Sequence, residues 1–455
     1  MRLEENHETT REWGPGVRWS CIRKLFVKHT FYLWGGIVNK LWKRGLRWSG
    51  LALMLCGVVG LMGCGGGDEN SGGTTNGGSS GVKEIKILVA APLSGDYAET
   101  GKDMAQGAEL AAAYINEQGG IKSGPNKGAK VVIERVDDEM STSAATTIAS
   151  RYLDDDSYYA FLGFITSGQA QAAATVLERA DLSLIAGFAS ADFLTSEADN
   201  IVVISPSIGN FARVAANFAV DEFGVKTVGT IAGDFSFLDS YYKGLTGVFT
   251  EKSVNYASKQ TYPAGTSDFS ALLTNIAAKN PDIVMCGAFQ ADAGRIAAQM
   301  RKMDMNMPMV DFIGDGWGET FGKTAGSSLQ IGEFYEMTPA DRFPEPGSLG
   351  AEMSKRYLEK YGKSINAPAL HFFDGVLTIA AIAEMGSKGR EDLLSYATKV
   401  TGEGLLGPIA FTADLKPKER WGTMSKVTGN GADDRELAAR YVMYGETETV
   451  ERVGE

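Results

Sequence analysis

The chain has 455 residues, enough for two or three domains with ample cores, and its composition is ordinary for a globular protein except for 56 glycines. Its net charge is −12, but residues 1–64 hold ten of the 44 Lys and Arg residues and only four of the 56 Asp and Glu residues. The remainder therefore carries a net −18, which argues against a nucleic-acid partner for the folded part.

The N-terminal region has the basic-then-apolar order of an export signal. Four basic residues between positions 40 and 47 precede an apolar run at 51–63, which is shorter than the roughly 20 residues that a membrane-spanning helix needs. The run leads into Leu-Met-Gly-Cys, which resembles a bacterial lipobox and implies that Cys64 becomes the lipidated first residue of the mature protein. An uncleaved short anchor is the alternative. The signal region thus covers residues 1–64. Residues 65–82 follow it, and their richness in Gly, Ser, Thr and Asn predicts a flexible tether.

Cysteine and histidine usage gives little support to metal or redox chemistry. If the chain is cut before Cys64, only Cys64 and Cys286 remain, no CxxC pair exists, and His371 is the single histidine left. His371 lies in an apolar stretch that predicts a packed helix face. We therefore expect no bound metal, no cofactor and no catalytic residues.

The folded part begins with alternating strands and helices. The predicted strands cover 84–91, 130–136, 158–162 and 182–186, and the predicted helices lie at about 104–118, 142–152 and 169–180. This βαβαβαβ order predicts an α/β fold with a parallel sheet and helices on both faces. Asp137 and Asp138, which follow the second strand, are expected in a solvated loop.

The same order then starts again in the second half of the chain. Strands are predicted at 227–232 and 281–286, and helices from about 241, at 268–279 and at about 293–303. Two later helices are predicted at 350–361 and 372–385, and two late strands at 407–412 and 439–444. Two similar α/β lobes in tandem predict a ligand site in the cleft between them, at the carboxyl ends of the parallel strands.

The stretch at 161–170 indicates the most specific site. An apolar strand breaks at Gly163, and Thr166, Ser167 and Gly168 then begin an alanine-rich helix. Hydroxyls and backbone N–H groups at a helix N-terminus suit an anion such as a carboxylate. Nothing in this stretch requires a reaction to follow binding, which favours a carrier over an enzyme.

Three early segments, at 87–96, 101–109 and 115–120, resemble the start of type I periplasmic binding proteins, in particular the leucine/isoleucine/valine-binding proteins of ABC transporters. Segments at 263–272 and 314–317 extend the resemblance into the second half. It implies two Rossmann-like lobes with parallel sheets, joined by three crossovers and closing on an amino acid. The first lobe would comprise 83–207 and 335–418, and the second 208–334 and 419–447.

The resemblance also implies roles for single residues in the first lobe. Ser167, beside Thr166, matches the serine that binds the ligand α-carboxylate; the alternative is a simple helix cap. Phe188 matches a position that contributes backbone contacts, and Ser190 a hydroxyl position. Thr100 falls where the family often has an aromatic residue, so we expect an altered pocket there.

In the second lobe, Asp315 matches the acidic residue that pairs with the α-ammonium, with Gly316 as the alternative match and a simple turn as the alternative role. Phe289 occupies a position often held by tyrosine, and Tyr241 matches a cleft tyrosine. Phe188 and Phe289 could equally be ordinary core residues. Trp317 is expected either to line the cleft or to fill core.

The implied function is that of a monomeric, extracytoplasmic lipoprotein, anchored at Cys64, that delivers an amino acid or a related carboxylate to an ABC permease. The two lobes would close on the ligand, and the closed form would dock on the permease. The rival expectation is a periplasmic sensory or regulatory receptor of the same fold that binds an amide or a small carboxylate.

Overall fold

The structure is a computed structural model that describes residues 83–189, 198–235, 237–314 and 316–454. The predictions for the signal region, for Cys64 and for the tether concern residues outside these ranges. So do those for Ser190 and Asp315.

Five parallel strands form the first sheet, in the order β2-β1-β3-β4-β5. The strands are β1 (Glu84–Ala91), β2 (Lys130–Asp137), β3 (Ala160–Gly163), β4 (Leu184–Ala186) and β5 (Ile201–Val203). Residues of β1 alternate between two apolar clusters, with Ile87 on one face and Leu88 on the other. Because helices cover both faces of a parallel sheet, this inner strand is apolar almost throughout.

Helices from two distant parts of the chain cover the first sheet. They are α1 (Ala98–Glu117), α2 (Thr142–Asp154) and α3 (Ser167–Leu177), and later α9 (Leu349–Tyr361), α10 (Ala367–Glu384) and α11 (Leu393–Ala397). Within the described residues, only α10 is long and apolar enough to cross a membrane, but 78% of it is buried and it packs as a core helix. A Cβ on Gly107 would lie 2.0 Å from the carbonyl oxygen of Ala369, so this glycine lets α1 approach α10 closely.

Eight strands form the second sheet, in the order β15-β14-β13-β10-β9-β8-β6-β7. The strands are β6 (Thr227–Gly233), β7 (Asn255–Tyr262), β8 (Ile283–Gly287), β9 (Met309–Asp311), β10 (Phe334–Thr338), β13 (Glu419–Val427), β14 (Arg435–Tyr444) and β15 (Thr449–Val453). The covering helices are α4 (Ile208–Phe223), α5 (Leu238–Glu251), α6 (Ser270–Ala277), α7 (Gln290–Lys302) and α8 (Glu319–Ala325). A two-stranded ribbon, β11 (Gly402–Glu403) and β12 (Pro408–Ile409), lies apart from both sheets.

The expectation of purely parallel sheets needs a correction in the second lobe. Strands β6 to β10 pair in parallel, but β13, β14 and β15 add an antiparallel extension. The connections between these last strands are short, and a short connection can join only antiparallel neighbours. Sequence patterns also missed the helices α4, α8 and α11 and the strands β5, β7, β10, β11, β13 and β15.

The chain passes between the sheets three times, after β5, after β10 and before β13, as expected for this fold class. The expected return to the first lobe at residue 335 falls inside β10, which pairs in the second sheet, so this crossing comes after Thr338. The second sheet also continues past the expected end at 447, because β15 extends to Val453.

A buried arginine connects these crossovers. Arg420, only 1% exposed, donates from Nε to the carbonyl oxygen of Ile204 (2.9 Å) and from Nη1 to those of Pro408 and Glu419 (both 2.8 Å). Asp374, fully buried in α10, accepts from the backbone N–H groups of Leu405 and Leu406. Burial raises the pKa of Asp374 to about 6, and burial lowers that of Arg420 to about 10, so both stay charged at neutral pH.

Arg420→Met should lower the free energy of unfolding by about 3–5 kcal/mol, because it removes three hydrogen bonds and leaves the buried Asp374 charge without its cation. Urea denaturation measures this loss. As the matched control, Arg452→Met breaks a half-exposed ion pair with Glu222 (3.5 Å) and should change stability by less than about 1 kcal/mol. Equal effects of the two substitutions would contradict the role of Arg420.

Candidate functional site

The loops that follow four strands of the first sheet meet at its carboxyl edge. Asp137, at the end of β2, accepts a hydrogen bond from the backbone N–H of Leu93 in the loop after β1 (2.8 Å). The loop after β4 bonds to the loop after β3, because Ala189 N–H donates to the carbonyl oxygen of Phe164 (3.1 Å). Thr100 lies half-buried in the first turn of α1, next to Gly101, which packs against Pro92.

Thr166, not Ser167, caps helix α3. The Thr166 Oγ1 atom accepts from the Gln169 backbone N–H (3.3 Å) and donates to the Gln169 side-chain oxygen (2.9 Å). Ser167 is the first residue of the helix and is half-buried. Since Thr166 already caps the helix, the alternative role of Ser167 as the cap is excluded. Ser167 lies among the first-turn N–H groups, which in helices generally can bind an anion.

Asp138 lies behind this helix start, and its expected place in a solvated loop is wrong. Its side chain is fully buried, and Oδ1 accepts from the Met140 N–H (2.9 Å). Oδ2 of Asp138 and Nε2 of Gln169 both lack a hydrogen bond of regular geometry to any described residue. Burial raises the pKa of Asp138 to about 6, while the Met140 N–H and the Gln169 amide act in the opposite direction. The buried Asp138 carboxyl, Gln169 and Thr166 thus lie next to one another behind the loop that carries Ser167.

Phe188 and Gly187 occupy the neighbouring loop after β4. The Phe188 ring is half-buried and packs edge-to-face on His371, with 5.0 Å between ring centroids. Gly187 has a steric role, because a Cβ there would lie 2.5 Å from the Phe372 ring.

His371 is fully buried in α10, as predicted, and its Nδ1 bonds to the carbonyl oxygen of Ala367 (2.7 Å). Burial lowers its pKa to about 3, so it remains neutral. Its position beneath Phe188 had no signal in the sequence.

In the second lobe, Phe289 and Tyr241 lie close to one edge of the sheet. Phe289 follows β8, is 38% exposed and is therefore not an ordinary core residue. Tyr241 is 4% exposed, and its hydroxyl donates to the carbonyl oxygen of Ile313 after β9 (2.8 Å). The structure therefore leaves Phe289 partly exposed and buries Tyr241.

Trp317 is a core residue, so the expectation that it lines the cleft is corrected. It is fully buried, stacks on Phe321 with 4.4 Å between ring centroids, and donates from Nε1 to the Ala288 carbonyl oxygen (3.3 Å). The guanidinium of Arg435 donates to its backbone oxygen. The indole ring, its N–H group and the backbone oxygen of Trp317 thus all have partners inside the lobe.

Asp311, which sequence reasoning missed, shapes the loop that leads to position 315. It is fully buried at the end of β9 and accepts from the N–H groups of Ile313 (3.0 Å) and Gly314 (3.1 Å). Gly314 and Gly316 have φ values of +75° and +64°, which side chains rarely adopt. Such an Asp-x-x-Gly turn after a strand is the signal that could have identified it.

Among the described residues, no group of three or more His, Cys, Asp or Glu side chains is arranged to hold a metal ion. The arrangement on the first lobe is instead a set of hydroxyl and backbone N–H donors at a helix start, with a half-buried aromatic ring nearby. Such a set can bind an anionic group.

Comparison with known proteins supports this interpretation. A family model described as "Periplasmic binding protein" matches residues 84–432, well over half of the chain. The chain belongs to the periplasmic binding protein family. The two lobes and three crossovers confirm the expected type I fold.

The relatives of this family member are solute-binding proteins. It is 27% identical over 292 residues to the Leu/Ile/Val-binding protein BraC3 of Rhizobium johnstonii, covering 63% of this chain and 76% of that protein. It is 26% identical to the Leu/Ile/Val-binding protein of Citrobacter freundii, but the match spans 48% of this chain and only 59% of that relative. A substrate-binding protein of a branched-chain amino acid transporter from Streptococcus pneumoniae, LivJ with isoleucine, superposes with a TM-score of 0.67 at 25% identity, covering 78% of this chain and 99% of that one.

Asp138→Asn should flatten the pH dependence of stability. Because the pKa of Asp138 is raised from 3.8 to about 6, the folded protein holds this proton more tightly than the unfolded chain. The resulting stability, about 3 kcal/mol, is full below about pH 4 and lost as the pH rises through about 6.

Urea denaturation of both proteins from pH 4 to pH 7 measures the difference. Asp374, whose pKa is also raised to about 6, titrates in both proteins and cancels in the comparison. Parallel curves for the two proteins would show that Asp138 does not carry the raised pKa.

Proposed function

We propose that this protein is the substrate-binding component of an ABC transporter and that it binds an amino acid between its two lobes. The observation that carries the proposal is the start of α3: Thr166 caps the helix, and the half-buried Ser167 and the first-turn N–H groups lie at the carboxyl edge of the sheet. A carboxylate is the anion that all amino acids share.

The ligand carboxylate would bind Ser167 and the N–H groups of α3, where charge-assisted hydrogen bonds and the helix dipole both favour a negative charge. The α-ammonium would pair with Asp315 of the second lobe, beside the Asp311 turn. Phe188, Ser190 and Thr100 would contact the ligand from the first lobe and Phe289 from the second. Tyr241 would act by holding Ile313.

Closure of the two lobes around the crossovers would complete the site, since neither lobe alone supplies both charges that a zwitterion needs. Binding energy at both ends would then favour the closed form over the open one. The closed form would be the one that docks on the permease. We further propose that the protein is monomeric and acts without a cofactor or catalytic step.

The N-terminal segment supplies the proposed location. Cleavage before Cys64 and lipidation of its thiol would anchor the protein to a membrane outside the cytoplasm, and residues 65–82 would tether the lobes to that anchor. A tethered carrier remains within reach of a permease in the same membrane.

Ser167→Ala should weaken amino-acid binding by about 1–3 kcal/mol, roughly five- to 150-fold, because it deletes a hydrogen bond to a charged group. Thermal shift with a panel of amino acids, amides and small carboxylates first identifies the ligand; at 1,000 times its Kd, a ligand adds about 4 kcal/mol of stability. Calorimetry on the variant then gives the affinity change.

The matched control is Ser141→Ala, which removes the capping serine of α2 in the same lobe (Oγ to Ala144 N–H, 3.4 Å) and should leave affinity unchanged. Unchanged affinity in Ser167→Ala would place the carboxylate elsewhere. Uptake assays in a deletion strain test the transport role: intact uptake with loss of a ligand response would identify a sensory receptor instead.

A further inference from the structure

Three phenylalanine rings form a partly exposed surface in the second lobe. Phe235 follows β6, Phe237 directly precedes α5, and Phe289 follows β8. Phe289 is 38% exposed, and the other two residues are half-buried. These three residues, named here the phenylalanine surface, lie at the carboxyl ends of adjacent parallel strands, the edge where α/β sheets bind ligands.

The rings of this surface pack on one another. Phe235 contacts Phe289 edge-to-face, with 4.9 Å between centroids and 61° between planes, and stacks on Phe237 at 5.4 Å and 17°. A Cβ on Gly233 would lie 2.4 Å from the Phe235 ring, so the glycine lets the ring lie back against the end of its own strand. The three rings thus hold one another in a defined arrangement.

A second, buried layer of rings supports the phenylalanine surface from below. Tyr241 contacts Phe237 of this surface (5.9 Å between ring centroids) and two deeper rings, Phe312 (6.0 Å) and Phe211 (6.3 Å). Tyr241, Phe312 and Phe211 are each at most 4% exposed. The Tyr241 hydroxyl is bonded to Ile313. Because the lower layer is fixed, the upper rings keep their orientation, and aromatic pairing there depends on that orientation.

An apolar ligand group of any kind would bury area on these rings, but an aromatic ring gains a further quadrupole contact in edge-to-face geometry. Phe289 is 38% exposed and pairs with the Phe235 ring edge-to-face, so its exposed part can receive such a partner. Phe188, held on His371, presents another half-buried ring on the first lobe. Each lobe therefore presents a partly exposed aromatic ring in a loop that follows a strand of its sheet.

We propose that the ligand carries an aromatic ring, which packs on Phe289 and Phe235 while its carboxylate binds at Ser167. The substrate class is thus aromatic amino acids and aromatic carboxylates rather than branched-chain amino acids. This inference rests on the proposed function, because it takes the carboxylate site on α3 as given.

Titration calorimetry of the purified full chain with two matched pairs tests the ligand class. Phenylalanine is compared with leucine, and phenylacetate with 3-methylbutanoate, so that each pair differs in the aromatic ring and shares its charged groups. We expect the aromatic member of the preferred pair to bind at least about tenfold more tightly. An aliphatic member that binds as tightly or more tightly overturns the proposal.

Phe289→Leu tests the contact itself, because leucine keeps an apolar side chain and removes the ring. We expect about three- to tenfold weaker binding of the aromatic ligand and less than a twofold change for the aliphatic one. The matched control is Phe223→Leu, which removes a half-buried ring that packs on Tyr335 (5.3 Å) away from this edge and should leave both affinities unchanged. Equal weakening of both ligands by Phe289→Leu overturns the aromatic contact.

The two proposals fail in different ways. If the aliphatic ligands bind best and Ser167→Ala weakens them, the proposed function stands and the aromatic class is wrong. If no member of either pair binds, or if Ser167→Ala leaves the best ligand unaffected, the carboxylate site is wrong and the aromatic inference falls with it. Melting temperatures of the variants identify any loss of folding.

Discussion

Strand β13 holds the crossovers together, and the relation between the two lobes depends on it. Its residue Arg420 binds the first crossover at Ile204, and Thr423 donates to the carbonyl oxygen of Ala340 in the second crossover (3.0 Å). The third crossover runs directly into β13. The Arg420 charge lies in a low-dielectric interior, so separating it from its hydrogen-bond partners would cost a large free energy. The crossovers are therefore anchored by electrostatics as well as by chain connectivity.

Buried polar side chains also form hydrogen bonds around the candidate site. Thr166 Oγ1 bonds to both the backbone N–H and the side-chain oxygen of Gln169, and Asp138, whose pKa is raised, lies behind them. On the second lobe, Asp311 fixes the backbone that leads to position 315. In the second lobe the buried Asp311 carboxyl thus orients a loop that we propose to contact the ligand, because a charged acceptor imposes strict geometry on backbone N–H groups, whereas Asp138 bonds to Met140 in the loop after β2.

The surroundings of the two halves of the site differ in kind. The first lobe offers a helix start with hydroxyl and N–H donors, whereas the second offers layered aromatic rings. Such a division separates affinity for a shared charged group from selection among side chains. On the proposed function, specificity would depend on Phe289 and its neighbours more than on Ser167, since most candidate ligands carry the same carboxylate.

Much of the fold and part of the site could be predicted from the sequence. The strand-glycine-helix unit at 160–177, the helix start at Thr166 and the membership of a binding-protein family follow from local patterns and short segments. Local patterns suffice because a strand's apolar run and a helix's cap depend on residues within a few positions of each other. The antiparallel end of the second sheet was not predicted, because strand partners are chosen by long-range packing.

Only the tertiary structure decided which polar and aromatic residues are buried. From the sequence, Asp138 is expected in a solvated loop after a strand, yet the start of α3 packs over it. Trp317 is expected either to line the cleft or to fill core, and its contacts with Phe321 and Arg435 place it in the core. Arg420 meets Ile204 across 216 residues of sequence. The physical reason is the same in all three cases: burial and charge pairing depend on segments that become neighbours only when the lobes fold. The sequence by itself determined the local units, the helix start that we propose to bind an anion, and the family.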